Sequence, residues 1–209
     1  MSQASVTIVD YQMGNLRSVQ KALEHVGAEA TISNDPQQIA AAERLILPGV
    51  GAFGDAMREL EARHLVQPII DFIARDKPFL GICLGLQLLF EVGEEGGVHR
   101  GLGVIPGRVV KFELPVTYKV PHMGWNRVQA AAKSDGPMLD GLPEDPYFYF
   151  VHSYFVQPTD LSVCWLSCDY GGQFCAAIAR KNLYATQFHP EKSQAHGLQL
   201  LKNFSLLPA

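Results

Sequence analysis

A reactive cysteine in a tight turn is indicated by one short segment, Gly81-Ile82-Cys83-Leu84-Gly85. A nucleophile with a small residue two positions before it and another two positions after it, placed between a strand and a helix, is typical of a nucleophile elbow. The turn is too tight for bulky side chains at these flanking positions. It exposes the nucleophile at the edge of the sheet where open α/β folds bind ligands. The amino-terminus of the following helix would favour the thiolate. The structural alternative is a buried cysteine at a glycine-rich strand end.

A base for this cysteine is offered by the segment Phe188-His189-Pro190-Glu191. His189 and Glu191 lie two positions apart in an extended turn, so the carboxylate could fix the tautomer of the imidazole. His152 is a rival base that has no acidic residue within three positions, and His122 is a weaker candidate. The other histidines are expected at the solvated surface or on helix surfaces: His25, His64, His99 and His196. The histidine spacings do not predict a metal site.

A candidate oxyanion hole is indicated by Pro48-Gly49-Val50-Gly51, which ends another predicted strand. Attack on an acyl carbon creates an oxyanion that needs two N–H donors. The N–H of Leu84 would be the first donor. The second would come from the backbone of Gly49, Val50 and Gly51, where the glycines let the chain approach a ligand or flip a peptide. The alternative is an ordinary β-turn.

Alternating strands and helices are predicted for the first 92 residues, which favours a parallel sheet covered by helices on both faces. Asn15 would cap the first helix. The predicted strands are 6–9, 28–32, 45–47 and 78–83, and the predicted helices begin at Leu16, Pro36 and Phe53 or span 66–75 and 84–92.

The second half of the chain has a different pattern. Six glycines in Gly93–Gly107 predict a loop. Strands are predicted at 108–112, 125–129, 147–151 and 183–187, with a hairpin over 161–180 and a final helix over 196–207. We therefore expect one α/β domain over 1–209. It would have a doubly wound and mostly parallel central sheet, with a smaller mixed or antiparallel sheet from the second half.

Composition excludes several classes of protein. The chain has 209 residues, of which 47% are hydrophobic and 18% charged, and a net charge of −4, which argues against disorder and against nucleic-acid binding. It has no apolar run of membrane-spanning length, and Met1-Ser2-Gln3-Ala4-Ser5 lacks the basic stretch of a secretory signal. We therefore expect a cytoplasmic protein without membrane contact.

Three of the four cysteines are expected to be reduced packing residues, because four scattered cysteines are too few for a disulfide framework. These three are Cys164, Cys168 and Cys175. If Gly171-Gly172 formed a two-residue hairpin turn, Cys168 would face Cys175 across it, and a strained disulfide would be conceivable.

Together these segments resemble the class I (triad) glutamine amidotransferases, and the resemblance runs from Asp10-Tyr11 to the last helix. The elbow through Gln87 and the His189 segment are shared across that family. The further strings are Pro48-Gly49-Val50-Gly51, Pro121-His122-Met123-Gly124-Trp125-Asn126, Tyr149-Phe150-Val151-His152-Ser153-Tyr154 and His189-Pro190-Glu191-Lys192-Ser193. They narrow the resemblance to the members that supply ammonia in histidine biosynthesis.

The resemblance implies a flavodoxin-like fold. It also implies a glutaminase that needs no cofactor and hydrolyses glutamine to glutamate and ammonia through a thioester intermediate. Its triad would be Cys83, His189 and Glu191. Its substrate would be bound by Gly51, Gln87, Ser153 and Tyr154. One departure is Gln12, which stands where many relatives have glycine. A left-handed backbone there would cost about 1–2 kcal/mol.

The resemblance also implies a partner, a cyclase subunit of the (β/α)8-barrel type that forms a heterodimer and receives the ammonia. The interface would include Asn15, Met123, Trp125, Tyr149 and Lys192. Met123 and Trp125 could equally be ordinary core residues. Because such glutaminases stay nearly inactive until the partner binds its ligand, the Gly49-Val50-Gly51 peptides are expected to act as the switch.

Three alternatives remain open on the sequence. The same triad could supply a synthase that makes anthranilate, GMP or carbamoyl phosphate. A non-catalytic domain of this family would show a broken triad, whereas all three triad residues are present. An independent thiol hydrolase or peptidase would act without any partner.

Overall fold

A mixed β-sheet of 13 strands runs through the computed structural model, which describes residues 4–130 and 136–209. Residues 1–3 and 131–135 lie outside the described residues, so the amino-terminal stretch considered above lies partly outside them. The strands are β1 (Ser5–Val9), β2 (Glu29–Ser33), β3 (Leu45–Gly49), β4 (Phe79–Cys83), β5 (Phe90–Gly93), β6 (His99–Arg100), β7 (Ile105–Lys111), β8 (His122–Ala130), β9 (Tyr147–His152), β10 (Tyr154–Pro158), β11 (Cys164–Asp169), β12 (Gln173–Arg180) and β13 (Leu183–Thr186). The helices are α1 (Leu16–His25), α2 (Pro36–Ala41), α3 (Phe53–Ala62), α4 (Val66–Ala74), α5 (Leu84–Gln87) and α6 (Gln194–Ser205).

The central part of the sheet is parallel, in the order β2-β1-β3-β4-β13. Every residue of β3 and β4 is buried, because helices cover both faces of these strands. Helices α1 and α6 pack on one face, and α2, α3 and α4 pack on the other. The sheet continues from β13 through the antiparallel strands β12, β10 and β7, and β11, β8 and β9 branch from β12. The predicted α/β class, with antiparallel strands from the second half, is confirmed.

The predicted helix over 84–92 is wrong. Helix α5 ends at Gln87, and Phe90–Gly93 forms β5, which pairs in parallel with β7. The segment from Leu86 to Phe90 is buried throughout and apolar apart from Gln87, so its hydrophobic pattern has no period that distinguishes a helix from a buried strand. The predicted loop over Gly93–Gly107 also contains β6 and the start of β7. Strand β10, which pairs with β7, had no predicted counterpart.

The predicted facing of Cys168 and Cys175 is wrong as well. Cys168 lies opposite Phe174 and Cys175 opposite Ser167, because three residues rather than two separate β11 from β12. In the described part of the chain each of the four cysteines is a free thiol. Cys168 and Cys175 are buried, as expected of packing residues.

Two backbone positions before α1 shape the edge of the sheet near the site. Gln12 has φ +67°, so the left-handed conformation considered for it is present, and its N–H donates to Asp10 Oδ1 at 2.9 Å. Asn15 occupies the N-cap of α1 as predicted, although no side-chain capping bond from it is found within the described residues. None of the helices in residues 4–130 and 136–209 is long and apolar enough to cross a membrane.

Candidate active site

Cys83 stands at the end of β4 with φ +55°, a strained backbone conformation for a residue other than glycine. The glycines around it are required by close packing. A Cβ on Gly81 would lie 2.8 Å from the carbonyl oxygen of Gly85, and one on Gly85 would collide with the carbonyl oxygen of Leu47. The predicted elbow is therefore present. Because α5 is a single turn, its amino-terminus offers less positive potential than the longer helix predicted from the sequence.

His189 and Glu191 form a buried pair directly after β13. His189 Nδ1 lies 2.8 Å from Glu191 Oε1, and the two side chains are 2% and 1% exposed. Burial acts to lower the pKa of His189, but the Cys83 thiolate and the hydrogen-bonded Glu191 carboxylate outweigh it and raise the pKa to about 10. His189 Nε2 is buried without a hydrogen-bond partner among the described residues. This nitrogen is thus available to a reacting group.

Cys83 and His189 line one cavity of about 440 Å³ at the carboxyl edge of the parallel strands. It brings together most of the predicted oxyanion and substrate residues: Val50, Gly51, Leu84, Gln87, Ser153 and Tyr154. Gly49 lies opposite Cys83 in the pairing of β3 with β4. The lining residues that sequence reasoning missed are Glu95, Pro121 and Val151.

In the candidate oxyanion segment 49–51, the N–H of the middle residue already has a hydrogen-bond acceptor within the protein. The N–H of Val50 donates to the carbonyl of Met13 at 3.1 Å. Gly51 has φ +94°, a conformation that favours glycine. Below this segment, the hydroxyl of the fully buried Tyr11 donates to the carbonyl of Pro48 at 2.8 Å. In this conformation the Val50 N–H is not free to serve an oxyanion.

The rival base His152 lies in the cavity wall, but protein groups occupy both of its ring nitrogens. Its Nδ1 lies 2.9 Å from the carbonyl of Tyr154 and its Nε2 lies 3.0 Å from His122 Nδ1. Burial is the main cause that lowers the pKa of His152 to about 3 and that of His122 to about 4. Both rings are therefore neutral near pH 7, and the carbonyl of Tyr154 requires the Nδ1–H tautomer of His152.

The remaining histidines lie outside this cavity. His25 and His64 are exposed, as expected, whereas His99 and His196 are half-buried. Within the described residues, no group of three or more His, Cys, Asp or Glu side chains is arranged to hold a metal ion.

Gln187 is a buried polar residue beside Cys83, and sequence reasoning missed it. Its side-chain Nε2 lies 3.7 Å from Cys83 Sγ, and its Oε1 accepts from Gln87 Nε2 at 3.2 Å. A sequence signal was present, because a glutamine stands between strand β13 and the Phe188-His189 segment, where neighbouring residues are mostly apolar or aromatic.

Four of the five predicted interface residues lie close together beside the cavity. Met123 and Trp125 are 62% and 46% exposed, so their alternative role as core residues is wrong. The rings of Trp125 and Tyr149 lie 6.2 Å apart between centroids, and Lys192 Nζ lies 6.0 Å from the Tyr149 ring centroid. The fifth residue, Asn15, is the N-cap of α1, and this helix packs against 190–192.

Comparisons with known proteins agree with this geometry. Residues 7–207 match the family described as glutamine amidotransferase class-I. The chain is 66% identical over 203 residues to the imidazole glycerol phosphate synthase subunit HisH of Rhodopirellula baltica, covering 97% of this chain and 98% of that one. It is 54% identical over 198 residues to the HisH subunit of Aquifex aeolicus, covering 94% of each.

Solved structures of low identity share the fold. The structure of PurLQS from Thermotoga maritima has a TM-score of 0.75 at 18% identity, covering 97% of this chain and 98% of that one. A putative GMP synthase protein from Thermoplasma acidophilum has a TM-score of 0.70 at 19% identity, covering 98% and 94%. On the family match and the curated relatives, this chain belongs to the class-I glutamine amidotransferase family and, within it, to the HisH subunits of imidazole glycerol phosphate synthase.

Proposed function

We propose that this chain hydrolyses glutamine to glutamate and ammonia, and that a synthase partner uses the ammonia to make imidazole glycerol phosphate and AICAR in histidine biosynthesis. The observation that carries the proposal is the cavity that Cys83 shares with His189, whose Nδ1 is bonded to the buried Glu191 carboxylate. The relatives named above support the substrate and the pathway.

Acylation begins with attack of the Cys83 thiolate on the side-chain amide carbon of glutamine. The Leu84 N–H and an N–H of the 49–51 backbone hold the oxyanion of the tetrahedral intermediate. His189 is held protonated by Cys83 and Glu191, and it gives its proton to the departing nitrogen. The C–N bond breaks, ammonia leaves, and a γ-glutamyl thioester remains on the sulfur.

Deacylation uses the same groups in reverse. His189 is now neutral, and it takes a proton from a water molecule that attacks the thioester. The C–S bond breaks, glutamate leaves, and the thiolate faces an imidazolium again. Throughout, the bond from Nδ1–H to Glu191 keeps Nε2 as the nitrogen that exchanges the proton.

Gln87, Gly51 and the Ser153-Tyr154 backbone bind the glutamine in this proposal. Gln87 Nε2 donates to the Tyr154 carbonyl at 3.0 Å and to Gln187 at 3.2 Å, so both of its N–H groups are used within the protein. Its Oε1 is left to accept from an N–H of the substrate. Glu95 adds a carboxylate to the cavity wall, of the charge that suits the α-ammonium group of an amino acid.

Covalent labelling with a glutamine analogue that carries an electrophile tests this function. We expect one adduct on Cys83, mapped by mass spectrometry, and faster labelling when the ligand-bound cyclase partner is present. The acceleration follows because the Val50 N–H, now bonded to Met13, must be released to complete the oxyanion hole. The other three thiols serve as internal controls. Labelling of those thiols instead, or a rate indifferent to partner and ligand, would contradict the proposal.

The partner in this proposal is a cyclase subunit of the (β/α)8-barrel type, bound on the surface formed by Met123, Trp125, Tyr149 and Lys192. Met123 lies opposite Val151, a residue that also lines the cavity. A partner seated on this surface would therefore lie beside the mouth from which ammonia leaves. Aromatic residues and methionine are also enriched at interfaces between proteins.

Trp125→Ala is expected to weaken binding of the cyclase partner by about thirty- to a thousandfold, the range for a buried tryptophan hot spot. Titration calorimetry with the purified cyclase measures this change. Leu161→Ala is the control, because Leu161 is an exposed hydrophobic residue outside β8 and β9. Equal affinity of the Trp125 variant and wild type would place the partner elsewhere.

A further inference from the structure

Gln187 contacts the nucleophile although the mechanism above gives it no role. It is fully buried, and its backbone N–H donates to the carbonyl of Ala176 at 2.8 Å, which fixes it against β12. Its side-chain nitrogen lies 3.7 Å from Cys83 Sγ, within hydrogen-bonding distance of a sulfur atom. A buried amide is costly unless its polar atoms are paired, so this placement calls for a physical reason.

The direction of the contact follows from a chain of hydrogen bonds that starts at a backbone carbonyl. The Tyr154 carbonyl can only accept, so Gln87 must turn its Nε2 toward it. The same nitrogen reaches Gln187, which must therefore offer its Oε1. The Nε2 of Gln187 is then the atom on the sulfur side. Because an amide nitrogen has no acceptor capacity, the contact with Cys83 is a donation from N–H to sulfur.

The titratable groups around Cys83 do not take the place of this hydrogen bond from Gln187. His189 faces the sulfur from the segment after β13 and carries the positive charge of the pair. Tyr11, below β3, stays neutral, because burial and then the charge of Cys83 raise its pKa. Its hydroxyl already donates to the carbonyl of Pro48. His152 and Glu95 line the same cavity. Gln187 thus adds a neutral hydrogen-bond donor beside the sulfur, in addition to the charge of His189.

We propose that Gln187 is a further catalytic residue, whose amide N–H donates to the Cys83 thiolate before attack and again when the thiolate leaves the thioester. The inference rests on the proposed function, because it assigns a role toward the same nucleophile. Gln87 and the Tyr154 carbonyl hold the amide in the donating orientation. Gln87 therefore links the substrate site to the nucleophile.

Alkylation of Cys83 by iodoacetamide across pH 5 to 10, followed by mass spectrometry, tests the proposal on the full chain. For Gln187→Leu we expect the midpoint of the pH profile to rise by about one to two pH units, because a hydrogen bond to a charged group is lost. Below the midpoint, alkylation slows about 10- to 100-fold. Above it, the rate returns to the wild-type value, a recovery that damage to the fold would not give.

Gln20→Leu is the matched control, because Gln20 is half-buried on α1 and its side chain also donates to a backbone carbonyl, that of Ala30, at 3.0 Å. Its profile should coincide with that of wild type. If Gln187→Leu does not fold, Gln187→Glu decides the matter. It keeps an acceptor for Gln87 but places a carboxylate beside the sulfur, so the midpoint should rise further.

An unchanged midpoint in a folded Gln187 variant would overturn the catalytic role of Gln187 while leaving Cys83 as the nucleophile. A wild-type Cys83 that reacts no faster than the other three thiols would instead overturn the proposed function, and this inference with it. The two failures are therefore distinguishable in one data set.

Discussion

Cys83→Ala is expected to lower glutamine hydrolysis by a factor on the order of 10⁴ to 10⁶, the scale for removal of a nucleophile from a catalytic unit. Alanine has no atom that can form the thioester, while the backbone N–H groups and the cavity remain. The complex of this variant with the cyclase subunit should still make product when ammonia is supplied directly, because the variant removes the source of ammonia and not its use. Glutamate release and product formation measure the two activities separately.

Cys164→Ala is the matched control for that experiment, since Cys164 is a free, half-buried thiol in β11, outside the cavity. It should keep glutamine hydrolysis close to the wild-type rate. Glutamine turnover that survives in the Cys83 variant would show that another group is the nucleophile. Loss of the ammonia-fed activity as well would indicate a defect of assembly.

Glu191→Gln is expected to lower kcat for glutamine about 10²- to 10⁴-fold, because an amide no longer holds the imidazole in the required tautomer and charge state. The pKa of His189, about 10 in the wild type, should fall, since the carboxylate is one of the causes that raise it. Deprotonation of the imidazolium then occurs at lower pH. The alkaline limb of the pH–rate profile should therefore move to lower pH, and NMR titration of labelled histidine measures the same change directly.

Glu43→Gln is the control for this change, because it also removes a carboxylate from an ion pair, that with Arg44 at 3.1 Å, on an exposed side chain. Glu43 lies outside the cavity, and Arg44 keeps its hydrogen bonds to the carbonyl of Leu207, so the activity and the histidine titration of this variant should match those of wild type. A Glu191 variant that loses activity with an unchanged pKa of His189 would contradict the orienting and charging role.

The elbow at Cys83 and the His189–Glu191 pair were predictable because the forces that shape them act over a few residues. The elbow needs small residues at Gly81 and Gly85 for reasons of backbone sterics, and the structure gives the same reason through the contacts with Leu47 and Ala185. His189 and Glu191 are separated by one proline, so the contact between their side chains depends mainly on the local segment. The parallel half of the sheet also followed from local alternation of strands and helices.

The failures of prediction involve contacts between distant parts of the chain. Gln187 reaches Cys83 across 104 positions, through the parallel pairing of β13 with β4. The bond between Val50 and Met13 depends on how β3 lies beside β1. Helix α5 ends early because Phe90–Gly93 finds a strand partner in β7. In each case the deciding partner lies outside the segment from which the prediction was made.

The amino-acid sequence by itself determined the elbow at Cys83, the pairing of His189 with Glu191, and the class of fold, because backbone sterics and short spacings are local properties. The tertiary structure alone decided which face of β8 meets solvent, which nitrogen of His189 is left unpaired among the described residues, and which amide donates to the sulfur. Those outcomes depend on strand pairing and on the sharing of hydrogen bonds between remote segments. The hydrogen-bond partners of such a side chain therefore depend on which strands pair with one another.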